Sequence, residues 1–132
     1  MQSDHTFRRP AYWLADQLAD TGSRIHVGEF GWASPARRGD FGACHGLEVP
    51  FVFDTLERSR LTRSGPRPLA EALHASWVRF ITEGDPSSPT IGSWPRYDRA
   101  ERLVQILDHP FRVEPDPLSD RRAFLETHDR DL

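Results

Sequence analysis

The sequence predicts an α/β fold, and three observations carry that expectation. Two proline-led segments, 10–21 and 68–83, show helical periodicity. Strand-like segments at 24–32 and 102–107 alternate with them. The first strand carries apolar groups on both faces, as does a strand inside a sheet covered on both sides.

Each element can be justified in turn. In PAYWLADQLADT, Pro10 suits a first helical turn, and Ala11, Leu14, Ala15 and Leu18 recur at helical spacing as one apolar face. Gly22 is the expected stop. In RIHVGEFGW, Ile25 and Val27 share one face, and Phe30 and Trp32 the other. Residues 33–41 read as a loop. Pro50 argues against a central strand, so a short helical turn is expected to carry Phe51 to Leu56.

Segment 68–83 is the strongest helix. Pro68 opens it, Gly84 ends it, and Leu69, Leu73, Trp77, Phe80 and Ile81 are assigned to one face. A turn-rich loop follows over 84–98, with Trp94 and Tyr97 as its packing anchors. Then come a strand at 102–107, a short second strand at 111–113, and a helix over 117–128 with Asp116 as N-cap. That helix would arrange Leu118, Arg121, Arg122, Phe124 and Leu125 around its axis. A single convincing central-type strand cannot satisfy its backbone groups alone, so the inventory reads as the end of a sheet whose other strands lie elsewhere.

Composition narrows the class. A chain of 132 residues, 37% hydrophobic and 28% charged, fits one water-soluble globular domain. Seventeen basic and twenty acidic residues are interspersed, so no basic stripe offers itself to a nucleic acid. Every basic residue is arginine, and the pairs Arg8-Arg9, Arg37-Arg38 and Arg121-Arg122 read as solvated faces. No apolar run reaches membrane-spanning length, so no membrane partner is expected. The polar start MQSDHTFRRP lacks a signal-peptide apolar region; this favours a cytoplasmic address and leaves it open if the chain belongs to a longer parent.

The chemistry concentrates in GACHGLEVPFVFDTL, 42–56. A zinc site wants about four Cys or His ligands. Here Cys44 is the single cysteine, and His5, His26, His74, His109 and His128 lack ligand spacing, so neither metal nor other cofactor is expected. Neighbouring side chains rarely converge, which disfavours Cys44 as a nucleophile activated by His45. The G-x-S-x-G elbow of serine hydrolases is absent, and Ser23, Ser34, Ser64, Ser76 and Ser93 lack its glycines. His45 is then either a loop histidine tied by hydrogen bonds or a base without a recognisable nucleophile. Gly42 and Gly46 permit the tight loop on which sheet-based hydrolases present a catalytic histidine.

These residues resemble the catalytic-histidine segment of type-B carboxylesterases: Gly42, Ala43, His45-Gly46, Glu48, then Phe51 to Phe53. The resemblance continues through Asp4, Phe7 and Pro10, VGEFGWASP, LAEALHASWVRFITEGDPS and SWPRYD, and covers most of the chain. It implies that residues 1–132 are the C-terminal portion of an α/β-hydrolase: last central strand, histidine loop, helices and terminal hairpin. It further implies His45 as general acid–base, with Gly42, Gly46 and Glu48 supporting it. The family's serine elbow, oxyanion-hole glycines and acidic triad member have no counterpart in these 132 residues. The isolated chain is therefore expected to be inactive or nearly so, and to meet an ester substrate only when completed. The expected partners are an N-terminal half or a second copy. The alternatives are a non-catalytic interaction module and a non-functional remnant.

Overall fold

The structure, a computed structural model, describes residues 4–128. A π-type turn, Asp4–Arg8, runs into α1, Arg9–Ala19, with Pro10 in the first turn, where its missing N–H has no intrahelical partner to lose. Strand β1 is Gly28–Phe30, and a loop with a short 3-10 turn, Ala36–Gly39, follows. Helix α2, Val49–Val52, carries Pro50 in its first turn, and a 3-10 turn at Leu56–Arg58 leads on to α3, Arg67–Glu83. Gly84 closes α3 at φ 72, a left-handed conformation that glycine adopts without strain, and returns its N–H to Phe80 O. Strands β2, Leu103–Leu107, and β3, Arg112–Pro115, form the terminal hairpin before α4, Ser119–His128.

The sheet runs β1-β2-β3, with β1 parallel to β2 and β2 antiparallel to β3. Regular β1 is shorter than the predicted 24–32, and among the described residues it is an edge rather than an interior strand. Its two-faced character is real. Phe30 and Trp32 pack on a core of Phe51, Leu56, Leu69, Leu73, Trp94 and Leu107, while Ile25 and Val27 pack on Tyr12, Ala15, Tyr97, Val104 and Ile106. Trp94 and Tyr97 are both buried, and each ties the 84–98 loop back to the first strand. Trp94 Nε1 donates to Val27 O at 3.1 Å, and Tyr97 N donates to Ile25 O at 2.8 Å.

Several sequence expectations need correction. In α1 the buried positions are Tyr12 and Ala15, with Leu14 and Leu18 exposed. Of the predicted stripe only Ala15 is buried; Ala11, Leu14 and Leu18 are exposed. In α3 the buried stripe is Leu69, Ala72, Leu73 and Ser76, spaced i, i+3, i+4, i+7. Each i+4 step overshoots a helix face by roughly 40°, which carries Ile81 off it to 78% exposure. Phe80 stays in line but is exposed and meets His26 edge-on. Leu73 is sealed inside, so Leu73, Trp77 and Phe80 do not form one exposed face. Helix α4 starts at Ser119, and Asp116 pairs with Arg122 (Nη2 to Oδ2 2.6 Å) instead of capping. The second hairpin strand lies at Arg112–Pro115, a little beyond 111–113.

The arginine pairs are not merely solvated. Arg8 engages Asp4 and donates to Glu29 Oε1 at 2.6 Å, Arg121 reaches Asp4, and Arg37 lies over the Phe41 ring. Among the described residues no helix is long and apolar enough to cross a membrane.

Candidate active site

The loop after β1 is built to present one side chain. Ser34 is buried; its N–H donates to Gly42 O at 3.2 Å and its hydroxyl to Leu61 O at 2.5 Å. These bonds hold the two ends of the 34–42 loop together and bind them to the 59–62 segment. Gly42 and Gly46 then take φ values of +54 and +80. A Cβ at either would meet nothing within 4 Å, so glycine is required there by backbone conformation and not by space. The turn closes through Leu47 N to Cys44 O at 3.1 Å, and buried Leu47 anchors it from below.

His45 sits on this turn, exposed, with its ring stacked on Phe7 at 3.8 Å between centroids and 7° between planes. Face stacking leaves the ring nitrogens, which point along the ring plane, uncovered by Phe7. Among the described residues neither nitrogen has a hydrogen bond. His26 and His74 are different: the first has Nδ1 at 3.1 Å from Trp94 O, and the second at 2.9 Å from Val52 O. A loop histidine tied by hydrogen bonds thus describes His26 better than His45. An untethered imidazole can still act as donor or acceptor.

A groove of about 450 Å³ runs along the open edge of β1 and ends at this turn. Ala43, Cys44, His45 and Glu48 line its end, Phe7, Ala11 and Tyr12 one wall, and Trp77 and Leu107 the other. Glu48 lines the groove, and its carbonyl accepts from Phe51 N at 2.9 Å and Val52 N at 3.0 Å to start α2. Its carboxylate makes no capping bond. Cys44 is a free, half-buried thiol beside His45. The structure therefore brings His45, Glu48 and Cys44 to one groove, with Gly42 and Gly46 shaping the loop behind them.

Two groups in the groove escaped the sequence reading. Glu29 gives one carboxylate oxygen to Arg8, and its Oε2 is buried without a partner in the described residues. Tyr12 is buried with its hydroxyl likewise unpartnered; burial first, and then the nearby Glu29 charge, pushes its pKa from 10.0 up to about 12. The signal for Glu29 was a lone carboxylate in the middle of an apolar strand. Among the described residues no three His, Cys, Asp or Glu side chains come together as a metal ion requires.

A mixed sheet flanked by helices, with a glycine-bounded histidine loop following the first strand, defines part of an α/β-hydrolase. The solved structure of PNB esterase superposes on 95% of this chain with a TM-score of 0.83 and 30% identity, using 26% of its own length. An esterase from Clostridium hathewayi, 23% identical at a TM-score of 0.80 over 96% of this chain, shares the fold.

The chain belongs to the carboxylesterase family, whose profile matches residues 1–125. It is 32% identical over 130 residues to the para-nitrobenzyl esterase of Bacillus subtilis (strain 168), which covers 95% of this chain and 26% of that relative. It is 31% identical over 111 residues to the phenmedipham hydrolase of Pseudarthrobacter oxydans, covering 79% of this chain and 22% of that protein. The chain thus spans about a quarter of the length of the curated relatives it matches.

Proposed function

We propose that residues 1–132 act as the C-terminal portion of a serine carboxylic-ester hydrolase and supply its general acid–base histidine, His45. The observation that carries this reading is the His45 ring itself: fixed in orientation by Phe7, exposed, at the end of a groove, with both nitrogens free among the described residues. A structural histidine is normally tied down by the hydrogen bonds seen at His26 and His74.

In the completed site, the neutral His45 imidazole takes the proton of a serine hydroxyl as that oxygen attacks the ester carbonyl. The imidazolium then returns the proton to the leaving alkoxide. Water repeats the cycle to release the acid. An acidic residue on the completing portion orients the ring and stabilises its charged form. Gly42 and Gly46 hold the turn, and Glu48 forms the polar wall beside it. The serine and acid come from the part of the relatives that this chain does not match.

The test measures p-nitrophenyl ester hydrolysis by the chain alone and when completed by an esterase portion carrying the serine elbow. The chain alone should give background rates. The completed protein should turn over substrate, and His45→Ala should lower that rate by about 10²–10⁴-fold. Turnover by the chain alone that vanishes in His45→Ala would overturn the requirement for completion. Indifference of the completed protein to His45→Ala would overturn the histidine's role.

A further inference from the structure

Building on that reading, we propose that Phe7 is a positioning residue for the general base: its ring sets the plane of the His45 imidazole, and an ion-pair cluster of Asp4, Arg8, Glu29 and Arg121 sets Phe7. The torsion that turns a histidine ring is broad, so its plane has to be held by a neighbour. At His26 and His74 hydrogen bonds to backbone carbonyls do this. At His45 the phenyl face does it, 3.8 Å away and 7° from parallel. Turning the imidazole about that torsion would drive its edge into the phenyl ring. The stack therefore fixes the plane and leaves the in-plane nitrogens open to partners. A base must meet the serine hydroxyl within hydrogen-bond reach, and a misplacement of about 1 Å can cost on the order of 100-fold in rate.

Phe7 must itself be held, and burial does not do it, because the side chain is 44% exposed. The turn that carries it, Asp4–Arg8, is held by charge. Asp4 is buried and accepts from Arg8 of its own turn and from Arg121 of α4, the latter at 3.4 Å. Arg8 also donates to Glu29 Oε1 at 2.6 Å. Glu29 lies on β1, the strand that precedes the His45 loop. The cluster thus pins the turn of Phe7 to the strand from which the loop of His45 departs, and braces it against α4. An ion pair taken out of water adds little net stability over apolar packing, and its best-attested use is to fix one geometry among several. Here that geometry is the height and tilt of one phenyl ring. Phe7, Arg8, Glu29 and His45 line the same groove, so the device stands beside the base it serves.

The experiment compares Phe7→Leu, Phe7→Tyr and Arg8→Gln in the full chain and in a completed protein, this chain fused in place of the matched segment of Bacillus subtilis para-nitrobenzyl esterase. In the full chain, proton NMR reads the His45 ring directly. Its signals should move downfield in Phe7→Leu, which removes the shielding phenyl face, and hold in Phe7→Tyr. In the completed protein, Phe7→Leu should lower kcat for a p-nitrophenyl ester by about 10–100-fold with KM within about twofold. Phe7→Tyr, which keeps the ring, should restore kcat to within about threefold. The thermal midpoint should stay within about 2 °C in both, since Phe7 is a surface side chain. Arg8→Gln should lower kcat about threefold or more where Phe7 is present and add nothing where it is leucine, the coupling expected of groups that act in series. Unchanged His45 signals in Phe7→Leu, a loss carried by KM or by stability in place of kcat, or an Arg8→Gln loss of equal size in both backgrounds would each overturn the inference. A silent Phe7→Leu in a protein that His45→Ala inactivates overturns the positioning role alone. A silent His45→Ala overturns the reading on which it rests.

Discussion

On the α2–α3 side of the sheet, Phe51, Leu56 and Leu73 are all but inaccessible, and Phe30 and Trp32 each lie 5.1 Å from the Phe51 ring. On the α1 side, the large buried side chains of the helix and its facing loop are Tyr12 and Tyr97, meeting edge-on at 6.3 Å. Much of the remaining contact there is ionic. Arg102 donates to Asp16 at 2.9 Å and to Tyr97 at 2.8 Å, Arg8 bridges Asp4 and Glu29, and Arg122 holds Asp116. The first side is a finished core. The second is thin, polar, and leaves Trp13, Leu14 and Leu18 uncovered. A sheet needs both faces covered, so the contrast locates where this chain sustains its own fold and where it expects company.

The largest expected effect tests that contrast directly. Leu73→Ala should cost about 2–5 kcal/mol in urea denaturation, because it empties space in a sealed core. Leu14→Ala should shift stability by no more than about 0.5 kcal/mol, as surface changes do. Equal losses from the two would break the comparison. A smaller effect is expected at the loop between the sides. Gly46→Ala forces an alanine to φ +80 and should cost about 1–2 kcal/mol. Gly46→Asn, which tolerates that conformation better, should cost less in the same melt.

Confined to the α1 side, and absent near neutral pH, are the pH effects. Tyr12 has a native pKa of about 12, raised from 10.0, so its unfolded form ionises first. The Tyr12 contribution is intact below pH 10 and is lost as pH rises toward 12, and Tyr12→Phe should flatten that slope. Asp116 is lowered from 3.8, first by its hydrogen bond from Arg122 and despite partial burial. Its contribution is present above pH 3.8 and is lost as pH falls through the lower native value; Asp116→Asn should remove that acid limb. Amide exchange on α3 should ignore both variants while stability holds, and an equal response there would show that the two sides are coupled.

The contrast also explains what could be read from residue order. The two faces of β1, the span of α3, the proline-led turn at Pro50 and the anchoring by Trp94 and Tyr97 were legible, because periodicity and breaker residues report them locally. The buried face of α1 was not. The helix carries two adjacent apolar stripes, and only tertiary packing decides which meets this chain's sheet. Ile81 was misplaced by stepping in fours along a helix of 3.6 residues per turn. Asp116 looked like a cap because its true partner, Arg122, is identified by charge and geometry together. At the candidate site, the glycine-bounded turn around His45 could be read directly. The stack on Phe7 and the Arg8–Glu29 pair join distant segments and leave no local pattern.

Gly28 lies beneath the Trp94 indole so closely that an added Cβ would stand 2.7 Å from Cζ2, and that same indole bonds to Val27 across 67 residues of chain. The parallel pairing of β1 with β2 spans a similar interval. Such distant contacts close slowly, because loop entropy must be spent before they form. During synthesis the edge of β1 that pairs with β2 therefore emerges unpaired and waits for most of the remaining chain. A ribosome stalled before Trp94 would display that edge without its lid or its β2 partner, the kind of segment that chaperones and proteases reach first.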